Sequence, residues 1–63
     1  MSALDRTMCR LRAARWMALE AQATLDCVAA MDRGDRIEGR AHEVWAELCA
    51  LRVQAWEEEA ERS

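Results

Sequence analysis

The sequence predicts an all-α protein: an antiparallel two-helix hairpin that dimerises into a four-helix bundle. Three observations carry this expectation. The 63 residues contain no proline and only two glycines, Gly34 and Gly39. Both glycines lie in the central stretch from Met31 to Gly39, and these residue types are the strongest local breakers of regular structure, so two long arms flank one bend. Each arm repeats apolar residues at intervals of three and four, the period of a helix.

The first arm opens with Ser2, whose hydroxyl can cap free N–H groups, followed by Asp5, an acid suited to the positive helix end. The helix is expected over about residues 3–31, with a bend at about 32–35. Gly34 can adopt the left-handed conformation that stops a helix. Asp35-x-x-Glu38 resembles a capping box for a second helix at about 36–61. Gly39 weakens the first turn of that helix by up to about 1 kcal/mol, or permits a close approach of backbones near the bend. At about 1.5 Å per residue each arm is about 40 Å long.

The second arm is the more regular. Ile37, Ala41, Val44, Leu48, Leu51 and Ala55 alternate by four and three, the spacing of a coiled-coil seam, and Trp45, Cys49, Arg52 and Trp56 run beside them. Leu4, Leu11, Ala14, Ala18, Ala21, Leu25 and Val28 form one face of the first arm, extended by Met17, while Met8, Trp16, Leu19 and Ala23 lie on another side. One neighbouring helix cannot cover arcs this wide. Leu4, Leu11, Leu25, Val28, Ile37, Val44, Leu48 and Leu51 are therefore the expected self-association residues of a homodimer. Folding about the bend also brings Arg6, Arg10, Arg12 and Arg15 beside Glu57, Glu58, Glu59 and Glu61, two clusters that each oppose their own helix dipole and complement each other.

Composition narrows the function classes. A net charge of −3 argues against a general nucleic-acid or membrane-surface binder, and no run of 18 apolar residues exists to span a bilayer. Three cysteines, Cys9, Cys27 and Cys49, make an odd set with no Cys-x-x-Cys pair, which points to reduced, partly buried thiols and a cytoplasmic location. All nine basic residues are arginine, the coding bias of a GC-rich bacterial or bacteriophage genome.

Catalytic and metal chemistry find no support, so no enzyme and no cofactor is expected. His42-Glu43-Val44-Trp45-Ala46 lacks the second histidine of the H-E-x-x-H zinc helix. His42 and Cys49 share a face but stand about 10 Å apart along the axis. Gly39 occupies the place of the glutamate that a Glu-x-x-His di-iron motif requires. The serines, Ser2 and Ser63, are terminal, and no glycine-rich phosphate loop is present.

Three tryptophans in so short a chain are the best functional hint, because tryptophan is enriched at binding hot spots. Trp16 and Trp45 suit a dimer core as well as a binding face, and Trp56 stands beside the acidic run. The expected partner-binding set is Trp45, Val53 and Trp56 with a rim of Glu43, Glu57 and Glu58. A larger protein or protein complex is the expected partner.

Ala14-Arg15-Trp16-Met17 resembles the Ala-Arg-Phe-Ile of the Rop family, the plasmid repressors of primer, and Leu25-Asp26 and Met31-Asp32 fall near that family's Leu-Glu and Leu-Asp turn entry. The resemblance lies mainly in architecture, a short helical hairpin that dimerises. It implies binding of structured RNA by the first helices, with Trp16 in the aromatic's place. Arg12 stands where the family has asparagine, Asp5 and Cys27 where it has lysines, and Glu20 where it has glutamine; fewer cations weaken phosphate contact. In size, acidity and helicity the chain also resembles bacteriophage anti-defence proteins and secretion-system hairpin co-chaperones. The leading expectation is a small non-enzymatic regulator, inhibitor or co-chaperone that docks a helix face on a larger assembly. The alternative is Rop-like RNA binding by a homodimer through Arg10, Arg12, Arg15 and Trp16, and a third is self-assembly into a larger helical array.

Overall fold

A computed structural model describes residues 3–62, with side chains from Asp5 on. The expected Ser2 cap and Ser63 lie outside the described residues, and the Leu4 contribution to the first stripe lies outside the described side chains. Two helices, α1 (Ala3–Asp32) and α2 (Arg36–Glu61), pack along each other as a hairpin. The rod measures 48 × 13 × 10 Å.

The bend is built from backbone chemistry. Gly34 takes φ +79°, a left-handed conformation that glycine adopts without steric penalty. Its N–H donates to the Met31 carbonyl at 2.9 Å, and the Asp35 N–H donates to the Ala30 carbonyl at 2.9 Å. This pair of bonds is a Schellman motif, and it satisfies two carbonyls that α1 would otherwise leave open. Asp35 then starts α2: its Oδ1 accepts from the Glu38 N–H at 3.0 Å. That backbone bond is the main reason the Asp35 carboxyl titrates below its ordinary value. The Glu38 carboxylate reaches Arg33 at 3.1 Å and His42 Nε2 at 3.4 Å, so its charge ties the end of α1 to the first turns of α2.

The helices meet through small side chains. On α1 the buried positions are Cys9, Ala13, Ala23 and Ala30, with Trp16, Glu20 and Cys27 half-buried between them. On α2 they are Gly39, Cys49, Val53 and Ala60, with His42, Ala46 and Trp56 half-buried. Both sets alternate by three and four, so each is a coiled-coil stripe. Ala30 and Cys49 are fully excluded from solvent, and Cys49 is the largest side chain so enclosed. Alanine, glycine and cysteine let the backbones approach closely, most of all at the bend. A methyl group placed on Gly39 would stand 2.6 Å from Met31 Sδ.

The large apolar side chains point elsewhere. Leu11 lies two residues from both Cys9 and Ala13, and Leu25 two from both Ala23 and Cys27. At about 100° per residue each is roughly opposite the seam. Leu51 stands in the same relation to Cys49 and Val53, and Val44 to His42 and Ala46. Leu11, Leu25, Val28, Ile37, Val44, Leu48 and Leu51 are all exposed; Ile37 is 87%, Leu25 64% and Leu51 61% accessible. The Ile37–Ala55 stripe, with its coiled-coil spacing, therefore does not close the hairpin; of the line beside it, Cys49 and Trp56 do. The total accessible area, 4759 Å², exceeds the roughly 4,100 Å² expected of a compact chain this long.

Candidate docking surfaces

Two apolar edges run the length of the rod on opposite sides. The α1 edge carries Leu11, Leu25 and Val28 around Ala14, Ala18 and Ala21, all exposed. The α2 edge carries Ile37, Val44, Leu48 and Leu51 with Ala41 and Ala55. Each edge points away from the seam, so the two point away from each other. Monomeric proteins seldom leave contiguous apolar surface of this kind uncovered.

A third surface forms near the open end, where aromatic and cationic groups from both helices interleave. The Trp16 and Trp45 rings meet edge to face at 6.1 Å between centroids and 62° between planes. The Arg12 guanidinium lies over the Trp56 ring at 4.8 Å, and that of Arg52 over the Trp16 ring at 5.9 Å. Arg12, Arg15, Trp16, Leu19 and Trp56 line an open groove of about 400 Å³. Arg52, Ala55, Trp56 and Glu59 line a second one of about 390 Å³. Trp56 forms a wall of both grooves, and it is half-buried.

The residues expected to bind a partner do not form one patch. Val53 is buried in the seam and is not presented by the closed hairpin. Trp45 is exposed beside the α2 edge, and Trp56 sits between the two grooves. Glu43 is two residues before Trp45, about 200° away around the helix, where it pairs with Arg40 at 3.0 Å. Glu57 and Glu58 are exposed next to Trp56, with the Glu58 carboxylate accepting from Gln54 at 3.4 Å. Of the residues named for RNA contact, Arg12, Arg15 and Trp16 share a groove, whereas Arg10 is not among its lining residues. The expected complementarity between early arginines and late glutamates takes another form at Arg12, whose cation rests on the Trp56 ring. The Arg12–Trp56 and Arg52–Trp16 contacts escape sequence reading because they depend on the exact stagger of two helices.

Burial, with a smaller effect from the Glu20 carboxylate, pushes the Cys49 thiol up, which disfavours the nucleophilic thiolate. Cys9 is buried as well, and Cys27 is half-buried. Among the described residues no cluster of three or more His, Cys, Asp or Glu side chains could hold a metal ion. No described helix is long and apolar enough to cross a membrane. Comparisons with protein-family models, curated proteins and solved structures find no match to this chain.

Proposed function

We propose that this chain is a small non-enzymatic protein-binding regulator, an inhibitor or co-chaperone of bacterial or phage type, that works in the cytoplasm as a homodimer. It docks a helix face on a larger protein assembly. One observation carries the reading: apart from Val53 the hairpin encloses alanine, glycine and cysteine, while Leu11, Leu25, Val28, Ile37, Val44, Leu48 and Leu51 are left exposed. Burying one such large side chain stabilises by about 1.5–3 kcal/mol, so the greater part of the hydrophobic driving force is left for association. Trp56 is the anchor of the docking face, since it is amphipathic, borders both grooves and has the exposed Glu57 and Glu58 at its rim.

The test is capture of partners by tagged full-length protein from its native cell, with and without nuclease, repeated with Trp56→Ala. Nuclease-resistant capture that Trp56→Ala abolishes, with helicity and assembly state retained, is the expected result. Retained capture by a folded Trp56→Ala variant removes Trp56 as the anchor.

A second reading, binding of structured RNA by the homodimer, is favoured by the groove in which Arg12 and Arg15 flank Trp16. It requires affinity for hairpin RNAs that falls steeply with salt. Absence of binding at low salt ends it.

A further inference from the structure

We propose that the α2 edge, rather than the α1 edge, is where two copies of this chain meet, in an antiparallel α2–α2 pair. The inference rests on the homodimer reading above and assigns its interface. Three properties of the α2 edge support it.

The first is surface. Ile37, Val44, Leu48 and Leu51 give the α2 edge four large apolar side chains, the last three on successive turns, all exposed. The α1 edge carries three, Leu11, Leu25 and Val28, and its middle is alanine, at Ala14, Ala18 and Ala21. The second is shape. In the antiparallel register centred on Ala46, Val44 falls opposite the second copy's Leu48, Ala41 opposite its Leu51, and Ile37 opposite its Ala55. Large side chains meet small ones toward both ends, as interdigitated helix pairs require. A two-fold axis makes every such contact occur twice.

The third property is charge. α2 mixes Arg36 and Arg40 with Glu38 and Glu43 at its start and ends with Glu57, Glu58, Glu59 and Glu61, so its strong excess of negative charge lies at one end only. Antiparallel pairing places Arg36 beside the second copy's Glu58. Parallel pairing would lay the glutamates on one another. Trp45 meets its own copy on one flank. Glu47 meets its own copy on the other, and that is the one repulsive contact in the register. The dimer is then four helices in a row, with the α2 pair central and both α1 edges still free.

Sedimentation equilibrium of the full-length protein, with helicity followed by circular dichroism, tests this. Leu48→Glu should yield a helical monomer, whereas Leu25→Glu on the α1 edge should leave the dimer intact. Arg36→Glu should weaken dimerisation about tenfold, through two symmetry-related exposed pairs, and the swap Arg36→Glu with Glu58→Arg should restore it. Glu47→Gln should tighten the dimer several-fold. If Leu48→Glu unfolds the chain, the charge swap still decides. A wild-type chain that stays monomeric at all concentrations overturns the association reading as a whole. Dissociation by Leu25→Glu but not by Leu48→Glu overturns this interface alone, and a charge swap without rescue overturns the antiparallel register.

Discussion

Replacing Gly39 with alanine measures how closely the two helices approach at the bend. The new methyl group would stand 2.6 Å from Met31 Sδ, 3.0 Å from Met31 Cγ and 3.8 Å from Ala30 Cβ. The last is ordinary van der Waals contact, so the backbones need not part. Only the Met31 thioether must move, and Met31 is an exposed side chain with freely rotating bonds. Displacing it from its rotamer costs about 0.5–1.5 kcal/mol. Alanine in a helix is favoured over glycine by about 0.8–1.0 kcal/mol, less near a helix start. The two effects nearly cancel, and Gly39→Ala alone should change stability by less than about 1 kcal/mol. In a Met31→Ala background the obstruction is gone, so the same substitution should stabilise. A double-mutant cycle should give a coupling of about 1 kcal/mol between the two sites. Thermal unfolding followed by circular dichroism resolves this, since 1 kcal/mol moves the midpoint of a chain this small by about 4–8 °C. Strict additivity would refute the contact. A loss above about 3 kcal/mol for Gly39→Ala would show that backbone rather than a side chain blocks the site.

Three further outcomes follow from the seam and the bend. Ala23→Leu overpacks a buried position and should destabilise by about 1–3 kcal/mol, as urea unfolding would register, while Ala18→Leu on the exposed edge should be tolerated. Asp35→Ala removes the α2 cap and should lower the melting midpoint by about 5 °C at neutral pH. Because the Asp35 carboxyl titrates below its ordinary value, the cap's stabilisation is complete above the usual aspartate pKa of about 3.9 and is lost as pH falls through the lower folded value. The wild-type and Asp35→Ala melting curves should therefore converge in strong acid, and a gap that persists at low pH would contradict the capping role. Native alkylation at neutral pH should modify Cys27 before Cys49, whose thiol is enclosed and shifted upward. Mass-mapped labelling in the reverse order would mean that the seam opens readily.

The helices were legible from their apolar period and lack of breakers, and the bend because its stop and its cap each depend on one residue's local chemistry. Gly34 supplies the one positive φ among the described residues, and Asp35 the cap, and both are visible without knowing what packs where. The seam was legible only in part, through the buried cysteines and the close approach at Gly39, for the opposite reason. A search for apolar periodicity weights Leu, Ile and Val, so it finds the edges. The actual contact runs through Cys9, Ala13, Ala23, Ala30, Gly39 and Cys49, which carry little apolar weight and matter by being small. Val53 shows the consequence. Read with Trp45 and Trp56 it looks like part of a docking face, yet it stands four residues after Cys49 and seven before Ala60, both buried. The Arg12 contact with Trp56 was beyond reach for another reason, since a cation chooses between a ring and a carboxylate by ångström-scale stagger.

The account stands on large apolar side chains being left outside a seam of small ones. Sedimentation velocity of the wild-type protein across a thousandfold dilution, with helicity recorded at each concentration, addresses this most directly. The account predicts a helical species of at least twice the chain mass at high concentration, with mass and helicity falling together or in sequence on dilution. A single helical species of one chain mass at every concentration would contradict it.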